Sequence, residues 1–266
     1  MLGDTHWSAW NEEIQVQVTE GAALGPAVAL VGTVLTEAEA ACSLQRGNAE
    51  IHALNLAQGL PVRVSVPLAG LLRSALWVAR MTDGAVSPLA IEESPSGVPP
   101  IHPEPTFADV QIDDATVLAP WGVSFDIADT AKADSADRAA ALVAHELECG
   151  VLVRVGSVLA TAGHCPAGGW QVTVPGDGAV ELRAGTAMAT VGADLTYGGH
   201  DPVSGEWEQV SVLADDALWA YGAAAAAIRR GVGAVPWLEQ QELGARLVDR
   251  LGRIYTTQGW SHPHAA

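Results

Sequence analysis

The chain has 266 residues, of which 49% are hydrophobic and 17% are charged, a composition that is typical of a compact globular protein and argues against disorder. Its formal net charge is −18, and its 13 Lys and Arg residues form no basic cluster, so binding to nucleic acid or to an anionic membrane surface is not expected. The three cysteines show no metal-type spacing, and so few cysteines fit a reducing cytoplasm. The sequence shows no signal-peptide pattern and no run of about 18 apolar residues, so we predict a cytoplasmic protein that does not span a membrane.

Hydrophobic periodicity predicts the elements of the first third of the chain. Residues 14–18, IQVQV, alternate between apolar and polar side chains, which is typical of a half-buried strand. Residues 21–46 are rich in alanine with apolar side chains at helical spacing, and residues 68–81 form a second helical pattern that Asp83-Gly84 ends. The proline-rich segment 91–105 is expected to form no regular structure.

The rest of the chain continues to mix short strands with helices. The predicted elements, in chain order, are strands at residues 110–112 and 123–127, a helix at 131–146, a strand and turn at 151–163, strands at 170–174 and 180–182, a helix at 216–229 and a final strand at 253–257. Strands and helices alternate without the regular spacing of βαβ units, which favours the α+β fold class.

Eight segments occur in the order and spacing of one known set of motifs. FDIADTAKADSADRAA at residues 125–140 resembles the motif "LDLGGIAKGYAVDRAA", and VSVLADDALWAYGAAAAAIRRG at residues 210–231 resembles "VTVVADDALLADALATALFVLG". The other six segments lie at residues 41–55, 71–88, 152–163, 189–195, 200–207 and 252–260. Over nearly its whole length, the sequence therefore resembles the FAD:protein FMN transferase (ApbE-like) family.

The resemblance implies both a fold and a reaction. It implies one α+β domain over residues 1–266, with mixed or antiparallel sheets, outer helices and a flavin cleft between two lobes. One lobe would comprise about residues 1–90 plus the C-terminal part, and the other about residues 106–200. In the implied reaction, the pyrophosphate of FAD is cleaved, FMN is attached to a threonine hydroxyl of a target flavoprotein, and AMP leaves. A divalent cation such as Mg²⁺ would neutralise the charge that develops between the phosphates.

Two positions decide whether this chain can hold that ion. The family places an Asp and, four residues later, a Thr on one helix face, where both oxygens point at one ion. The matching positions here are Tyr221 and Ala225. A phenol is a poor magnesium ligand at neutral pH and a methyl group offers no ligand atom, so we predict that the metal site is lost.

The positions that would contact the flavin nucleotide are only partly retained. The family lysine motif survives as Ala131-Lys132, followed by alanine where the family has glycine, and Arg154 stands where the family has an amide. The residues that could still bind the cofactor are Asn55, Ser87, Pro88, Ala131, Lys132, Gly156 and Ser157. Each also fits an ordinary structural role, such as a solvated lysine at a helix start or a turn after a helix.

His200 and Asp201 are the candidates for residual catalysis. A histidine can titrate near neutral pH and an adjacent aspartate can orient it. However, the family spaces these two residues further apart, and HDPVSG also reads as a plain turn.

The sequence leaves three functional hypotheses open. The chain has lost FMN transfer and binds a flavin nucleotide, another small molecule or a partner protein, or it remains a working transferase or FAD pyrophosphatase. In the second case, a relocated Mg²⁺ would be held by Asp129, Asp201, Asp215 or Asp216. The third hypothesis is a new enzymatic activity on the same scaffold.

Overall fold

The computed structural model describes residues 2–91, 104–174, 178–193 and 205–260. The α-helices in these ranges are α1 (Leu24–Cys42), α2 (Ile51–Asn55), α3 (Val66–Met81), α4 (Ala128–Leu147), α5 (Ala217–Arg230) and α6 (Ala234–Gln240). The strands are β1 (Gly3–Ala9), β2 (Glu12–Val18), β3 (Val62–Arg63), β4 (Leu89–Ile91), β5 (Gln111–Asp113), β6 (Thr116–Leu118), β7 (Val123–Phe125), β8 (Val151–Val155), β9 (Val158–Ala162), β10 (Trp170–Val174), β11 (Gly178–Leu182), β12 (Ala187–Gly192), β13 (Trp207–Ala214), β14 (Gly244–Asp249) and β15 (Ile254–Thr256).

A large antiparallel sheet organises the described residues. Its eight strands lie in the order β1-β2-β8-β9-β12-β13-β14-β15, and each neighbouring pair is antiparallel. The alternation in β2 shows how the sequence sets the faces: Ile14, Val16 and Val18 are fully buried, whereas the residues between them are partly exposed. One face of the sheet therefore carries the main hydrophobic core.

Alanine-rich helices cover that face. Helix α4 packs against α1, α5, β8 and β9, and α5 packs against β12 and β13. The alanine run at residues 223–227 of α5 is completely buried, as are Ala131, Ala133 and Ala136 of α4. Because these side chains are small, the helices can approach each other and the sheet closely. The N-terminal halves of α4 and α5 consequently lie side by side above the β8–β9 turn.

A β-hairpin contributes to a second, smaller core. Strands β10 and β11 pair with each other, and their inward side chains, including the fully buried Trp170, pack with Leu152, Leu159 and Met188 of the large sheet. Along their strands, Leu152, Leu159 and Met188 alternate with residues whose side chains belong to the main core. The hairpin thus covers part of the opposite face of the sheet.

Helix α1 bears on the predicted absence of a membrane span. By length and composition, the segment Gly21–Cys42, with a mean hydropathy of 1.4, could cross a bilayer, although we expected no such segment from the sequence. Buried residues of this helix, such as Val31 and Leu35, belong to the main core, and the helix packs against α3 and α4. The core helix of a soluble protein meets the same criteria, so this single helix is weak evidence for a membrane span.

The mixture of helices and antiparallel sheets confirms the predicted α+β class. The helix predicted over residues 21–46 is shorter than expected: a 3-10 turn precedes α1, and Ser43 ends it by adopting extended backbone. The proline-rich segment was expected to begin at Ile91, but that residue still belongs to β4. The division into two lobes stays a prediction.

Candidate functional site

A cavity of about 310 Å³ lies where α4, α5, β2, β12 and the β8–β9 turn meet. It is lined by Glu12, Asp129, Lys132, Val155, Ser157, Val158, Thr190, Val191, Gly192 and Tyr221. Charged, hydroxyl and aliphatic side chains thus line the same cavity, and small-molecule sites combine apolar surface with placed polar groups. Four sequence segments that resemble family motifs contribute to this lining.

Lys132 provides the positive charge of the cavity. Its Nζ atom donates a hydrogen bond to Glu12 Oε1 at 2.6 Å and lies 3.5 Å from Asp129 Oδ1. The side chain is only 15% exposed, and its ammonium group lies 5.9 Å from the centre of the Trp10 ring. Burial lowers the pKa of Lys132, but the hydrogen bond to Glu12 and the charges of Asp129 and Glu12 outweigh it, so the pKa is raised. Lys132 is therefore a fixed ammonium ion and not a solvated surface lysine.

Asp129 links Lys132 to Tyr221. Asp129 and Lys132 are three residues apart in the first turns of α4, so their side chains lie on the same helix face. The Tyr221 hydroxyl donates to Asp129 Oδ2 at 3.3 Å. Burial raises the pKa of Asp129 above its ordinary 3.8, while the positive charge of Lys132 lowers it in part. Glu12, Lys132, Asp129 and Tyr221 consequently form one continuous chain of polar contacts along the cavity wall.

The β8–β9 turn is shaped around the carboxylate of Glu12. Gly156 has a φ of +58°, a left-handed conformation that favours glycine, and a Cβ atom there would lie 2.3 Å from Glu12 Oε2. Its backbone N–H donates to the carbonyl of Glu13 at 2.9 Å, while the carbonyl of Ser157 accepts from Thr190 N at 3.0 Å. Glycine at position 156 thus leaves room for Glu12 next to Lys132.

This geometry predicts the effect of Gly156→Ala. The left-handed backbone should cost about 1–2 kcal/mol, and the new methyl group should add about 1 kcal/mol by pushing the Glu12 carboxylate aside. Gly185→Ala is the matched control, because Gly185 also has a positive φ, of +71°, but nothing lies within 4 Å of its Cβ position. Urea unfolding should show a larger loss of unfolding free energy for Gly156→Ala than for Gly185→Ala. Equal losses would contradict the crowding of Glu12.

Of the seven candidate cofactor-binding residues, only Lys132 and Ser157 line the described cavity, and Gly156 lies in the turn beside it. The other four have structural roles. The Asn55 side chain accepts from Phe125 N at 2.8 Å and donates to Phe125 O at 3.1 Å, which fixes α2 to β7. Ser87 Oγ accepts from Leu89 N, the Pro88 carbonyl accepts from Asp126 N, and Ala131 is buried in the core. Their predicted contacts with a cofactor stay predictions.

The catalytic candidates His200 and Asp201 lie outside the described residues. Two of the aspartates that could hold a relocated Mg²⁺ lie at helix starts. The N-cap position of α4 is Ile127, and Asp129 lies in the first turn. Asp216 does cap α5, because its side chain accepts from Trp219 N at 2.7 Å.

The donor set in this part of the molecule does not suit a magnesium ion. Tyr221 lines the cavity, whereas Ala225, one turn further along α5, is completely buried. The carboxylates of Glu12 and Asp129 both contact the Lys132 ammonium group, which an ion would have to displace. Within the described ranges, no group of three or more His, Cys, Asp or Glu side chains could hold a metal ion. Mg²⁺ is usually held by one or two carboxylates together with waters and phosphate oxygens. Since Lys132 already contacts both carboxylates of this cavity, these residues do not fit the ion.

Sequence reasoning missed Glu12 as a site residue. The signal was present in the alternation of β2, because Glu12 has the same parity as the core-facing Ile14 and Val16. An acidic side chain on the buried face of a strand needs a cationic partner. Lys132, which is 120 residues away in sequence, is that partner.

Comparisons with known proteins match this architecture. The model of the ApbE family matches residues 11–247. The fold is similar to that of the apo flavinyl transferase ApbE from Pseudomonas stutzeri, with a TM-score of 0.79, 17% identity and coverage of 97% of this chain and 96% of that chain. It is also similar to the flavin transferase ApbE from Vibrio cholerae (TM-score 0.76, 15% identity, 98% and 99% covered) and to an ApbE protein from Thermotoga maritima (TM-score 0.79, 18% identity, 97% of each). No curated protein matches the sequence.

Proposed function

Because the chain belongs to the ApbE family, we propose that it binds a flavin on this flavin-transferase scaffold but has lost magnesium-dependent transfer of FMN. The observation that carries the proposal is the Lys132 ammonium group, which contacts both carboxylates of the cavity where an ion would need free oxygen ligands. Tyr221 and Ala225, at the positions of the family's ligands, supply no replacement.

The loss follows from the charge that the reaction must stabilise. When FMN is transferred, a threonine oxygen attacks one phosphate of FAD, and negative charge builds up on the phosphate oxygens and on the departing AMP. A divalent cation would supply two positive charges at that point. The described cavity lining supplies one ammonium group, Lys132, against two carboxylates, Glu12 and Asp129. The developing charge would therefore remain uncompensated.

The same cavity retains features that suit an aromatic ligand. Val155, Val158 and Val191 offer aliphatic surface, and Ser157 and Thr190 offer hydroxyl groups. A flavin ring needs this combination, because its faces are apolar and its edge carries hydrogen-bonding atoms. FAD is therefore the flavin that the family suggests as a ligand. We also propose that the protein is cytoplasmic and interacts with a partner or acceptor protein there.

AMP release tests the loss of transfer. Purified protein incubated with FAD, Mg²⁺ and a threonine-containing acceptor should release no AMP above the level without protein, and the acceptor should gain no mass of FMN. A parallel reaction with EDTA is the control. AMP that appears with Mg²⁺ and disappears with EDTA would contradict the proposal and favour a working transferase with a relocated ion. In that case, Asp216 is a poor candidate ligand, because its side chain already caps α5.

Flavin fluorescence tests the retained binding function. Addition of the protein to a fixed concentration of riboflavin, FMN or FAD should change the emission of at least one of them in a saturable way. Denatured protein is the control for non-specific adsorption. Unchanged emission with all three flavins would overturn the binding role. A new activity on the scaffold would then need a different ligand class.

A further inference from the structure

We propose that Glu12 determines ligand specificity by making the cavity select an uncharged flavin, of the riboflavin class, over flavins that carry phosphate. This inference rests on the proposed flavin-binding function and narrows it to one class of ligand. Neither the family resemblance nor the motif positions include Glu12. Its role follows from the charges that the structure brings together.

The charge balance of the cavity disfavours phosphate. Glu12, Asp129 and Lys132 are the charged residues among those that line it in the described part of the chain, which leaves an excess of one carboxylate when all three are ionised. A phosphate monoester carries about 1.5 to 2 negative charges at pH 7. It would have to compete with Glu12 for the Lys132 ammonium group, to which Glu12 lies within 2.6 Å. An uncharged flavin faces no such competition.

Glu12 is held in place by the fold and is not a mobile surface carboxylate. It begins β2, whose register with β8 pairs Ile14 with Val155, next to the turn that contains Gly156. The glycine at position 156 leaves space for the Glu12 carboxylate, which a Cβ atom would occupy. The Glu12 side chain is only 31% exposed. The turn, the strand register and the lysine thus fix the same carboxylate at the cavity wall.

Glu13 provides a matched control on the same strand. Successive residues of a strand point to opposite faces, so Glu13 faces away from Glu12. Its side chain is 73% exposed and lies 3.4 Å from His6 at the surface. Glu13→Gln and Glu12→Gln remove the same charge from adjacent positions. A difference between the two variants therefore reports the position of the carboxylate and not the net charge of the protein.

The test is a fluorescence titration of the full chain and both variants with riboflavin, FMN and FAD, in EDTA. The natural protein should bind riboflavin about tenfold more tightly than FMN or FAD, because one unbalanced charge a few ångströms from a phosphate has an effect of this order. Glu12→Gln should tighten binding of FMN and FAD by about tenfold relative to binding of riboflavin. Glu13→Gln should resemble the natural protein.

Two results would overturn the inference while leaving the proposed function intact. The first is that the natural protein binds FMN or FAD more tightly than riboflavin. This comparison does not depend on whether a variant folds. The other is the same ligand preference in Glu12→Gln and Glu13→Gln. Failure of all three flavins to bind any of the proteins would instead overturn the proposed flavin-binding function, and this inference with it.

Discussion

Asp137 is expected to contribute a fall in the free energy of unfolding as the pH rises from about 4 to about 7, because its carboxyl group is partly buried between α4 and α5. Its two oxygens accept hydrogen bonds from the first backbone amides of α5, Ala217 N at 2.8 Å and Leu218 N at 3.0 Å. Burial raises the pKa of Asp137 from its ordinary 3.8 to about 7, although these two amide bonds lower it in part. The nearby charges of Asp216 and Asp134 raise it further.

The sign follows from proton binding by the folded and unfolded chains. Between pH 4 and pH 7, approximately, folded Asp137 holds a proton that the unfolded chain releases, so the folded state gains stability as the pH falls. This contribution is complete below the unfolded pKa of 3.8 and is lost as the pH rises through about 7. Its size is on the order of 2–4 kcal/mol, since one pKa unit corresponds to about 1.4 kcal/mol.

Asp137→Asn tests this expectation by removing the titrating group. Urea unfolding of the natural protein and the variant should be measured at several pH values between 4 and 8. The variant should be less stable at low pH by about 1–2 kcal/mol, because its NH₂ group cannot accept from a backbone N–H, whereas the hydroxyl oxygen of the protonated carboxyl group can. It should also lose the part of the fall in stability with pH that Asp137 contributes. Asp113→Asn, a change at an exposed position in β5, is the control and should keep that fall. An Asp137→Asn variant with the natural pH dependence would contradict the assignment.

Asp137 also connects the fold to the cavity. By binding the amides at the start of α5, it ties this helix to the middle of α4. Asp129 lies about two turns earlier on α4, and Tyr221 lies one turn into α5. The hydrogen bond between Tyr221 and Asp129 is therefore a consequence of how the two helices are joined. A change at Asp137 should alter the cavity even though Asp137 does not line it.

Local pattern was sufficient to predict most of the helices and the strands with strong alternation. The predicted helix at residues 131–146 corresponds to α4, Ala128–Leu147, and the strand predicted at residues 170–174 matches β10. Strands β12, AMATVG, and β14, GARLVD, were not predicted. Both contain small residues and little polar alternation, because they lie inside the sheet and are buried on both faces. Their strand character comes from pairing with distant neighbours.

The candidate site was harder to predict because its charges come from distant parts of the chain. Periodicity placed the strand start at Ile14, since an acidic residue does not extend an apolar pattern, and so Glu12 was left outside the predicted strand. Family resemblance singled out Lys132 and Tyr221 separately. It could not predict that Asp129 would lie between them, because that contact depends on the packing of α4 against α5.

Replacing Tyr221 with Asp and Ala225 with Thr should make the stability of the protein depend on Mg²⁺. In EDTA, the double variant should lose about 3–5 kcal/mol, because a buried aromatic side chain disappears and a new carboxylate lies near Asp129. The Ala225→Thr change would also crowd a fully buried position of α5. Mg²⁺ can recover part of this loss, because Asp129 and the two introduced side chains supply oxygen ligands on facing helices. A Mg²⁺ concentration ten times its dissociation constant would raise the free energy of unfolding by about 1.4 kcal/mol.

A second double variant, Tyr221→Phe with Ala225→Thr, isolates the introduced carboxylate. It keeps the crowding at position 225 and loses the phenol hydroxyl, so it should be destabilised without gaining a response to Mg²⁺. Thermal unfolding in EDTA, in Mg²⁺ and in Ca²⁺ measures how much each ion stabilises the two double variants. Because the introduced site has few ligands and lies beside Lys132, Mg²⁺ and Ca²⁺ should each stabilise the Asp variant weakly. Na⁺ should not stabilise it. If the double variant is too unstable to purify, Tyr221→Asp alone provides the comparison with Tyr221→Phe. An identical response of the Asp and Phe variants to Mg²⁺ would mean that position 221 does not face an ion-binding cavity. The proposed loss of the transfer reaction would then no longer be explained by this position.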